Sequence, residues 1–458
     1  MGLGALIIYG VGDMLGAGVY ALIGKVAGTM GNAAWLAFLA SMVAALLTGL
    51  SYASLGSRYP RAGGVAYVTH RAFGFPFLSY MVGLAVVASG LTSFATQSRA
   101  FTGYFVGLLG RSQPGTGPGP LPEVALPIWI GVILLFILAL TFINFWGMKE
   151  SLWLNVLCTF IEVAGLFIII AVGIRYWGSV NYFEVPAVET PGGGSTPGIL
   201  TSALVLQGAI LTFYAFVGFE DMINVSEEVK NPRRNFPIAV MAALAITTVV
   251  YMAVSVTAVS VVPYGELGKS TQPLVDVVLR AAPGFPKEIF SLIALFAITN
   301  TALLNYIMGS RLIYGMARQG FVPRFLGSIH PTRRTPHFAI LFLMLIVAVL
   351  ALAGDIKQLA SATSSLLLGV FIIVNASLIV LHRRADEPKG AFEIPSIIPF
   401  GGILACAAIL WSVKAEPDKL DPRLIAAILL VGIGVLYLIA RPGNITEETI
   451  SEISDEIE

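Results

Sequence analysis

Charged side chains are scarce in this chain of 458 residues, because Asp, Glu, Lys and Arg together make up only 12%. Soluble domains carry about 25% charged residues. Hydrophobic residues make up 57% of the sequence, and the mean hydropathy is +0.85. We therefore predict an integral membrane protein. The net charge of +1 provides no electrostatic reason to expect nucleic acid as a partner.

Residues that could form a disulfide or bind a metal are also few. The two cysteines, Cys158 and Cys406, both lie in apolar runs, so we interpret them as small buried hydrophobic residues rather than a disulfide. The four histidines lie in or beside polar loops and show no metal-ligand spacing. Since the sequence contains no recognisable nucleophile–base pair or metal cluster, we expect neither an enzyme, nor a metal site, nor a cofactor.

Long apolar runs dominate the sequence. A transmembrane helix needs about 20 apolar residues, and twelve runs meet this length, at approximately 4–24, 33–57, 74–109, 127–145, 153–176, 201–226, 237–262, 287–312, 337–353, 357–381, 398–414 and 422–440. We therefore predict an all-α membrane protein with twelve transmembrane helices. Gly/Pro-rich stretches at 111–126 and 186–198 are predicted to be flexible connections, and the acidic segment 444–458 a cytoplasmic tail.

The distribution of Lys and Arg predicts the orientation. With twelve spans, 16 of these residues fall in loops on the side of the termini and 10 in loops on the other side, while Arg99 lies inside the third run and completes the 27. By the positive-inside rule, both termini are expected in the cytoplasm and the protein in the cytoplasmic (inner) membrane. The N-terminus lacks the features of a cleaved signal peptide. A native extension before Met1 stays an open alternative.

Two of the apolar runs are interrupted in a similar way. The first holds four glycines between Gly10 and Gly18, and the sixth holds Gly218 followed by Glu220 and Asp221. A helix in lipid must satisfy its own backbone, so interruptions survive only where they face protein or water. Matched interruptions in two halves of a membrane protein indicate a transporter's binding site. If the five runs up to residue 176 correspond to the five that begin at 201, the two repeats are inverted.

A broken helix offers N–H groups on one side of the break and carbonyl groups on the other. The N–H groups suit a carboxylate and the carbonyls suit an ammonium group or a cation, so the pair suits a free amino acid. The stretch Gly16–Gly18 lets a ligand approach the backbone closely. Helix packing through Gly12 and Gly16 is the alternative for this cluster alone. A dinucleotide-binding loop is excluded, because the glycine spacing is one residue too long and no strand precedes it.

A carboxylate within the membrane is a candidate functional residue, because placing a charged side chain at the bilayer centre costs about 2.5–3.5 kcal/mol. Glu162 lies in the middle of the fifth run and is a candidate for carrying a proton; the alternative is a permanently protonated, hydrogen-bonded acid. Asp13 serves an inner gate, a second proton site or helix packing. Glu220 and Asp221 either recognise a cationic side chain or cap the second half of the broken helix. Phe216 is a candidate aromatic lid, with core packing as the alternative.

Several motifs resemble the amino acid–polyamine–organocation superfamily, and in particular bacterial amino acid permeases related to cationic amino acid transporters. They keep their order over most of the first ten runs and are Gly16–Gly28, Tyr59–Gly64, Phe213–Glu220, Glu227–Arg234, Arg311–Gly320, His330–Pro331 and Thr335–Pro336.

The resemblance implies a five-plus-five inverted repeat with discontinuous helices 1 and 6 and two extra helices. The transmembrane amino acid permease domain would cover 1–443, with repeat one at about 4–176, repeat two at about 201–381 and the extra helices at about 398–440. The residues expected to bind substrate are Gly16, Ala17, Gly18, Val19, Ala215, Phe216, Gly218 and Glu220. Phe216 would be the gate. Where proton-coupled relatives carry a lysine on helix 5, this chain has Glu162, which together with Asp13 is expected to couple transport to H⁺, with Na⁺ as the alternative.

The leading hypothesis is secondary active import of amino acids by symport. An amino acid or amine exchanger is the first alternative, and a sensor that binds an amino acid without transporting it is the second. The expected partners are the amino acid substrate and the lipid bilayer, with no nucleic acid and no obligatory protein partner. The sequence leaves the carried amino acid or amine and the oligomeric state open.

Overall fold

The computed structural model describes residues 2–59, 64–111, 125–146, 151–190, 194–196, 198–222, 229–318, 322–333, 335–414 and 420–440. The predicted tail at 444–458 and most of the loop at 111–126 lie outside these residues. The helices, in chain order, are α1 (Leu3–Met14), α2 (Ala17–Met30), α3 (Ala34–Arg58), α4 (Gly64–Phe73), α5 (Pro76–Leu108), α6 (Leu126–Trp146), α7 (Ser151–Gly173), α8 (Ser202–Phe213), α9 (Pro232–Val261), α10 (Tyr264–Lys269), α11 (Pro273–Ala281), α12 (Lys287–Arg318), α13 (His337–Ala353), α14 (Ile356–His382), α15 (Ile397–Trp411) and α16 (Pro422–Ala440).

The prediction of a helical, multi-pass membrane protein is confirmed, while the count of twelve helices and the inverted repeat stay predictions. Among the described residues, seven helical stretches are long and apolar enough to cross a membrane, and the first of them joins α2 and α3. Five shorter apolar helices accompany them: α1, α8, α13, α15 and α16. One short antiparallel hairpin, Val188–Thr190 with Gly194–Thr196, lies in the segment where the glycine and proline content predicts only a flexible connection.

The first predicted span is two helices rather than one. α1 ends at Met14, and the N–H of Leu15 closes its last turn by donating to the carbonyl of Val11 (2.8 Å). Gly16 then takes an extended conformation (φ −62°, ψ −161°), and α2 begins at Ala17. The interruption therefore lies at the predicted position. It leaves carbonyl groups at the end of α1 and N–H groups at the start of α2 without partners in their own helices.

The sixth predicted span is also interrupted. α8 ends at Phe213, and a single 3₁₀ turn, Tyr214–Phe216, follows it. Gly218 has φ +126°, a conformation that residues with a side chain rarely adopt. A Cβ at this position would lie 3.0 Å from the carbonyl oxygen of Asp13. The two interruptions thus meet, because α2 packs on α8 and α1 packs on α9.

Long helices enclose the two broken ones. α3 runs along α8 and α9, α12 runs along α2, α5 and α7, and α14 contacts α5 and α8. Interrupted backbone inside lipid is tolerated where other protein segments cover it. This packing provides that cover for both interruptions.

The chain between α14 and α15 is tied to the end of α3. Glu393 accepts hydrogen bonds from the buried Arg58 and lies 3.0 Å from His382. Glu387 accepts from Tyr59 (2.7 Å) and from Arg71 on α4 (2.9 Å). Burial acts to raise the pKa of Glu393, but the hydrogen bonds outweigh it and hold that pKa below its ordinary value. Two carboxylates thus fasten this loop to one end of the bundle.

A buried amide joins α3 and α14 within the bundle. The side-chain amide of Asn375 donates to the hydroxyl of Thr48 (3.1 Å) and to the carbonyl of Phe371 (2.8 Å). Its oxygen accepts from the hydroxyl of Ser51 (2.6 Å). Such hydrogen bonds between helices replace the hydrophobic driving force that lipid does not supply.

Asn375→Leu keeps the branched shape of the side chain but removes these bonds, and it is expected to lower the free energy of unfolding by roughly 1 kcal/mol. Thermal unfolding of the purified protein in detergent measures the change. Ser377→Ala is the matched control, because the hydroxyl of Ser377 donates only to Ile373 of its own helix. Equal melting temperatures of the two variants would show that the amide does not stabilise the α3–α14 contact.

Candidate functional site

A cavity lies where the two interruptions meet. Its volume is about 30 Å³, which is space for a few water molecules at most. Its walls come from α1, α2, α5, α12 and the segment after α8, and its lining residues are Asp13, Met14, Gly16, Ala17, Gly18, Ser93, Gln97, Tyr214, Ala215, Val217, Gly218, Asp221, Thr301 and Asn305. This described lining contains acidic residues and no Lys, Arg or His.

The N-terminus of α2 forms one wall of the cavity. The N–H groups in the first turn of a helix have no acceptor within that helix. Here the N–H of Ala17 donates to the hydroxyl of Thr301 on α12 (3.1 Å), and Thr301 in turn donates to the carbonyl of Ala297 (3.2 Å). A Cβ on Gly18 would lie 2.7 Å from the Cα of Ala215. Only glycine therefore allows the first turn of α2 to contact the end of α8.

The carbonyl ends of the two broken helices share one donor. The hydroxyl of Tyr251, on α9, is within hydrogen-bond distance of the carbonyls of Met14 and Ala215, the latter at 2.9 Å. Tyr251 is fully buried. It therefore joins the end of α1 to the 3₁₀ turn that follows α8, beside the cavity.

Two carboxylates line the cavity and a third bonds to the backbone at the interruption. Asp13 and Asp221 belong to the lining. The N–H of Gly218 donates to the carboxylate of Glu220 (2.9 Å), so Glu220 satisfies a backbone donor at the interruption. Among the described residues, Oδ2 of Asp13 is buried without a hydrogen-bond partner. The cavity is therefore an acidic environment.

Glu162 lies on α7 behind the first interruption. Its side chain is 1% exposed, and neither carboxylate oxygen has a hydrogen-bond partner among the described residues. Two contacts hold α7 against the broken helix: the hydroxyl of Tyr20 donates to the backbone carbonyl of Glu162 (2.7 Å), and Thr159 packs against Gly12.

The wall from α5 and α12 is polar. The hydroxyls of Ser93 and Tyr214 lie 2.9 Å apart, and the side-chain amides of Gln97 and Asn305 each lie 3.2 Å from the hydroxyl of Ser93. Oε1 of Gln97 is buried without a partner among the described residues. Sequence reasoning did not select these residues. The available signal was a pair of polar residues four positions apart within an apolar run, which places both on one helix face.

The structure brings together some of the residues proposed from the sequence and separates others. Those that line the cavity are Asp13, Gly16, Ala17, Gly18, Ala215 and Gly218. Those that lie outside its lining are Val19, Glu162, Phe216 and Glu220. Phe216 is fully buried, with its ring edge-on to Tyr251 at 5.6 Å between centroids.

The arrangement is suited to a small ligand that carries both signs of charge. The positive end of the α2 dipole attracts an anionic group. The carbonyls beside Tyr251, together with Asp13 and Asp221, attract a cationic group. Polar side chains of α5, α12 and Tyr214 are available for the remainder of the ligand.

The sequence is similar to that of known transporters. A sequence profile of the family described as "Amino acid permease" matches residues 2–435. The branched-chain amino acid permease BcaP of Bacillus subtilis is 26% identical over 88% of this chain and 86% of its own. The methylthioribose transporter of the same bacterium is 28% identical, over 90% and 87%. Mouse cationic amino acid transporter 4 is 30% identical over 92% of this chain, which spans 66% of that protein.

Tyr251→Phe removes the hydroxyl that the two interruptions share, so the buried carbonyls of Met14 and Ala215 lose this donor. We expect the free energy of unfolding to fall by about 1–3 kcal/mol. Thermal unfolding of the purified protein checks this. Tyr52→Phe is the matched control, because Tyr52 is equally buried but its hydroxyl has no partner among the described residues. If both variants melt together, the hydroxyl of Tyr251 does not hold the interruptions in place.

Proposed function

The chain belongs to the amino acid permease family, and we propose that it is a secondary active transporter that imports amino acids across the cytoplasmic membrane by alternating access, coupled to protons. The observation that carries the proposal is the meeting of two interrupted helices around one buried polar cavity. Interrupted helices that present a helix N-terminus and free carbonyls at mid-membrane are how transporters of several folds bind their substrates.

The architecture we propose has twelve spans in a five-plus-five inverted repeat. α1 and α2 together form the first span, and the last two, α15 and α16, lie outside the repeats. The seven long helical stretches and five shorter apolar helices support it. With the excess of Lys and Arg on the side of the termini, the N-terminus of α1 lies in the cytoplasm and the C-terminal end of α2 faces outside.

In the proposed binding mode, the substrate carboxylate lies at the N-terminus of α2, between Gly16 and Gly18. The α-ammonium group lies near the carbonyl of Ala215. A cavity of about 30 Å³ is smaller than any amino acid, so binding requires the helices around it to separate. Phe216, which is fully buried and adjacent in sequence to the lining residues Ala215 and Val217, is the proposed gate in that motion.

Glu162 is the proposed proton carrier. A buried carboxylate without a hydrogen-bond partner is costly to ionise, so its protonation state depends on whether water reaches it. The contacts of α7 with Gly12 and Tyr20 connect Glu162 to both halves of the first broken helix. Movement of these halves during transport would therefore change its access to water. Na⁺ is the alternative coupling ion.

Uptake of a panel of labelled amino acids into proteoliposomes tests the transport mode. An inside-alkaline pH gradient is expected to drive accumulation without any internal amino acid. Uptake that occurs only after preloading with amino acid would instead identify an exchanger, and binding without flux would identify a sensor. The names of the relatives cover branched-chain and cationic amino acids and methylthioribose, so the panel also includes these substrate classes.

Glu162→Gln cannot release a proton and is expected to abolish accumulation driven by the pH gradient while substrate binding persists. Glu288→Gln, at an exposed acid on α12, is the matched control and should accumulate substrate normally. Unchanged pH-driven accumulation in Glu162→Gln would exclude the coupling role.

Gly18→Ala is expected to weaken amino acid binding at least tenfold, because the added methyl group would push α2 away from the backbone of Ala215. Gly434→Ala, where a Cβ meets nothing within 4 Å, is the matched control. Affinity measured with the labelled substrate should distinguish the two. Equal affinities would show that the close contact of α2 and α8 does not form part of the substrate site.

A further inference from the structure

A second, much larger cavity opens at the end of the bundle opposite the N-terminus of α1. Its volume is about 800 Å³. Residues of α2, α5, α10 and the start of α14 line it. We call this cavity the vestibule.

The vestibule continues the path that leads from the central cavity. On α2, Ala17 lines the central cavity while Ala21 and Lys25 line the vestibule. On α5, Gln97 lines the central cavity and Ala100 lines the vestibule. Gly18 also lines the central cavity and Arg99 the vestibule, so at a rise of 1.5 Å per residue the two linings lie about 3 Å apart along α5 and about 4.5 Å apart along α2. A substrate that enters from this end must therefore cross the vestibule first.

The charges of the vestibule are predominantly positive. Lys25, Arg99, Lys269 and Lys357 line it, against the single acidic residue Asp355. Even where Asp355 pairs with one of these cations, the lining keeps an excess of three positive charges. Three of the four cations are half-buried rather than fully solvated, and partial burial weakens the screening of charge by water and salt.

Backbone contacts hold two of the cations toward the vestibule. The ammonium group of Lys25 donates to the carbonyl of Gly268 (3.1 Å), and the guanidinium of Arg99 donates to the carbonyl of Ala351 (2.8 Å). A neutral carbonyl orients a cation but does not cancel its charge. An ammonium group has three N–H donors and a guanidinium group has five, so one carbonyl does not saturate either cation.

The one carboxylate is engaged at a helix end. Oδ1 of Asp355 accepts from the backbone N–H of Gln358 (2.9 Å), and the side chain of Gln358 accepts from the N–H of Asp355 (2.8 Å). This reciprocal pair caps α14. The carboxylate of Asp355 therefore serves both this cap and the vestibule, where it is the one acid beside four cations.

The two cavities thus have opposite electrostatic character. The central cavity has Asp13 and Asp221 in its lining and no cation among the described residues, whereas the vestibule has four cations and one acid. The charged side chains of the central cavity by themselves would favour any amine. A lining of one sign in a concave site concentrates ligands of the opposite sign.

We propose that the vestibule is an anion site that receives the substrate carboxylate before the central cavity does, and that it selects against amines without a carboxylate. The identity of the anion as an amino acid rests on the proposed function; the preference of the vestibule for anions does not. Together the two cavities favour a ligand that carries both signs of charge. The amine alternative, which the sequence leaves open, is thereby disfavoured.

Charge-selective labelling tests the anion preference without any transport. Thr271 lines the vestibule and is half-exposed, so Thr271→Cys places a thiol there. Methanethiosulfonate reagents with a sulfonate and with a quaternary ammonium group are compared, each rate relative to that of a small-molecule thiol. The native Cys158 and Cys406 are buried, and the chain without Thr271→Cys measures their background.

We expect the anionic reagent to react at least tenfold faster than the cationic one after this correction. Adding Lys25→Gln and Lys357→Gln should reduce the ratio about fivefold or more, because a charge in water acts over a screening length of about 8–10 Å at moderate salt. High salt should reduce it as well. Adding Lys230→Gln, at an exposed lysine in the loop before α9, is the matched control and should leave the ratio unchanged. A ratio near one, or a ratio insensitive to both vestibule substitutions, would overturn the proposal.

Uptake kinetics then place the site on the path of the substrate. Lys25→Gln with Lys357→Gln is expected to raise KM several-fold with little change in kcat, because the lost step precedes the central site. Lys230→Gln should change neither. Anion-selective labelling in a protein that transports no amino acid would reject the proposed function and keep the anion site. Transport with unselective labelling, or with an unchanged KM in the double variant, would reject the vestibule's role.

Discussion

The structure depends on one constraint: two helices are interrupted inside lipid, where no water is available for their free backbone groups. Each interruption recruits a side chain from an unbroken neighbour. Thr301 of α12 accepts the N–H of Ala17, and Tyr251 of α9 contacts carbonyls of both broken helices. The same groups that need cover are those that can bind a charged ligand. The proposed binding site therefore coincides with the backbone that most needs cover, and long helices such as α3 and α12 supply that cover.

Charge is distributed along the path in a way that follows from the same constraint. Carboxylates occur beside the interruptions, where dipoles and N–H groups are available, as Glu220 illustrates by accepting from Gly218. Cations occur at the end of the bundle, where lysine and arginine side chains reach both carbonyls and solvent. A substrate would meet positive charge first and negative charge afterwards. Glu162 lies outside both cavities, behind the broken helix, which separates the proposed coupling group from the substrate.

Several features were predictable from local sequence. The glycines around Gly16 and Gly218 indicated where helices would break, because few other residues allow close contact or positive φ. Glu162 was predictable as a buried carboxylate, because an ionisable residue in an apolar run is costly in lipid and therefore faces the protein interior. The polar wall was not predicted: Ser93 and Asn305 are 212 positions apart, and each alone is an ordinary polar residue in a helix. The hairpin at 188–196 was also missed, since glycine and proline content indicates a turn but not the pairing of its flanks.

The sequence by itself determined that this protein lies in a membrane, that it is helical and where its helices are interrupted. Apolar composition and the placement of glycines decide these features locally, within a few residues. Only the tertiary structure decided which side chains meet there. Tyr251, Thr301 and Gln97 come from helices far apart in the chain, and their convergence depends on packing that no local pattern encodes. The tertiary structure also separated Glu220, which accepts from the backbone of Gly218, from Asp221, which lines the cavity, although the two are adjacent in sequence. Where a helix is interrupted, adjacent side chains point in different directions, and only the fold specifies which of them faces the cavity.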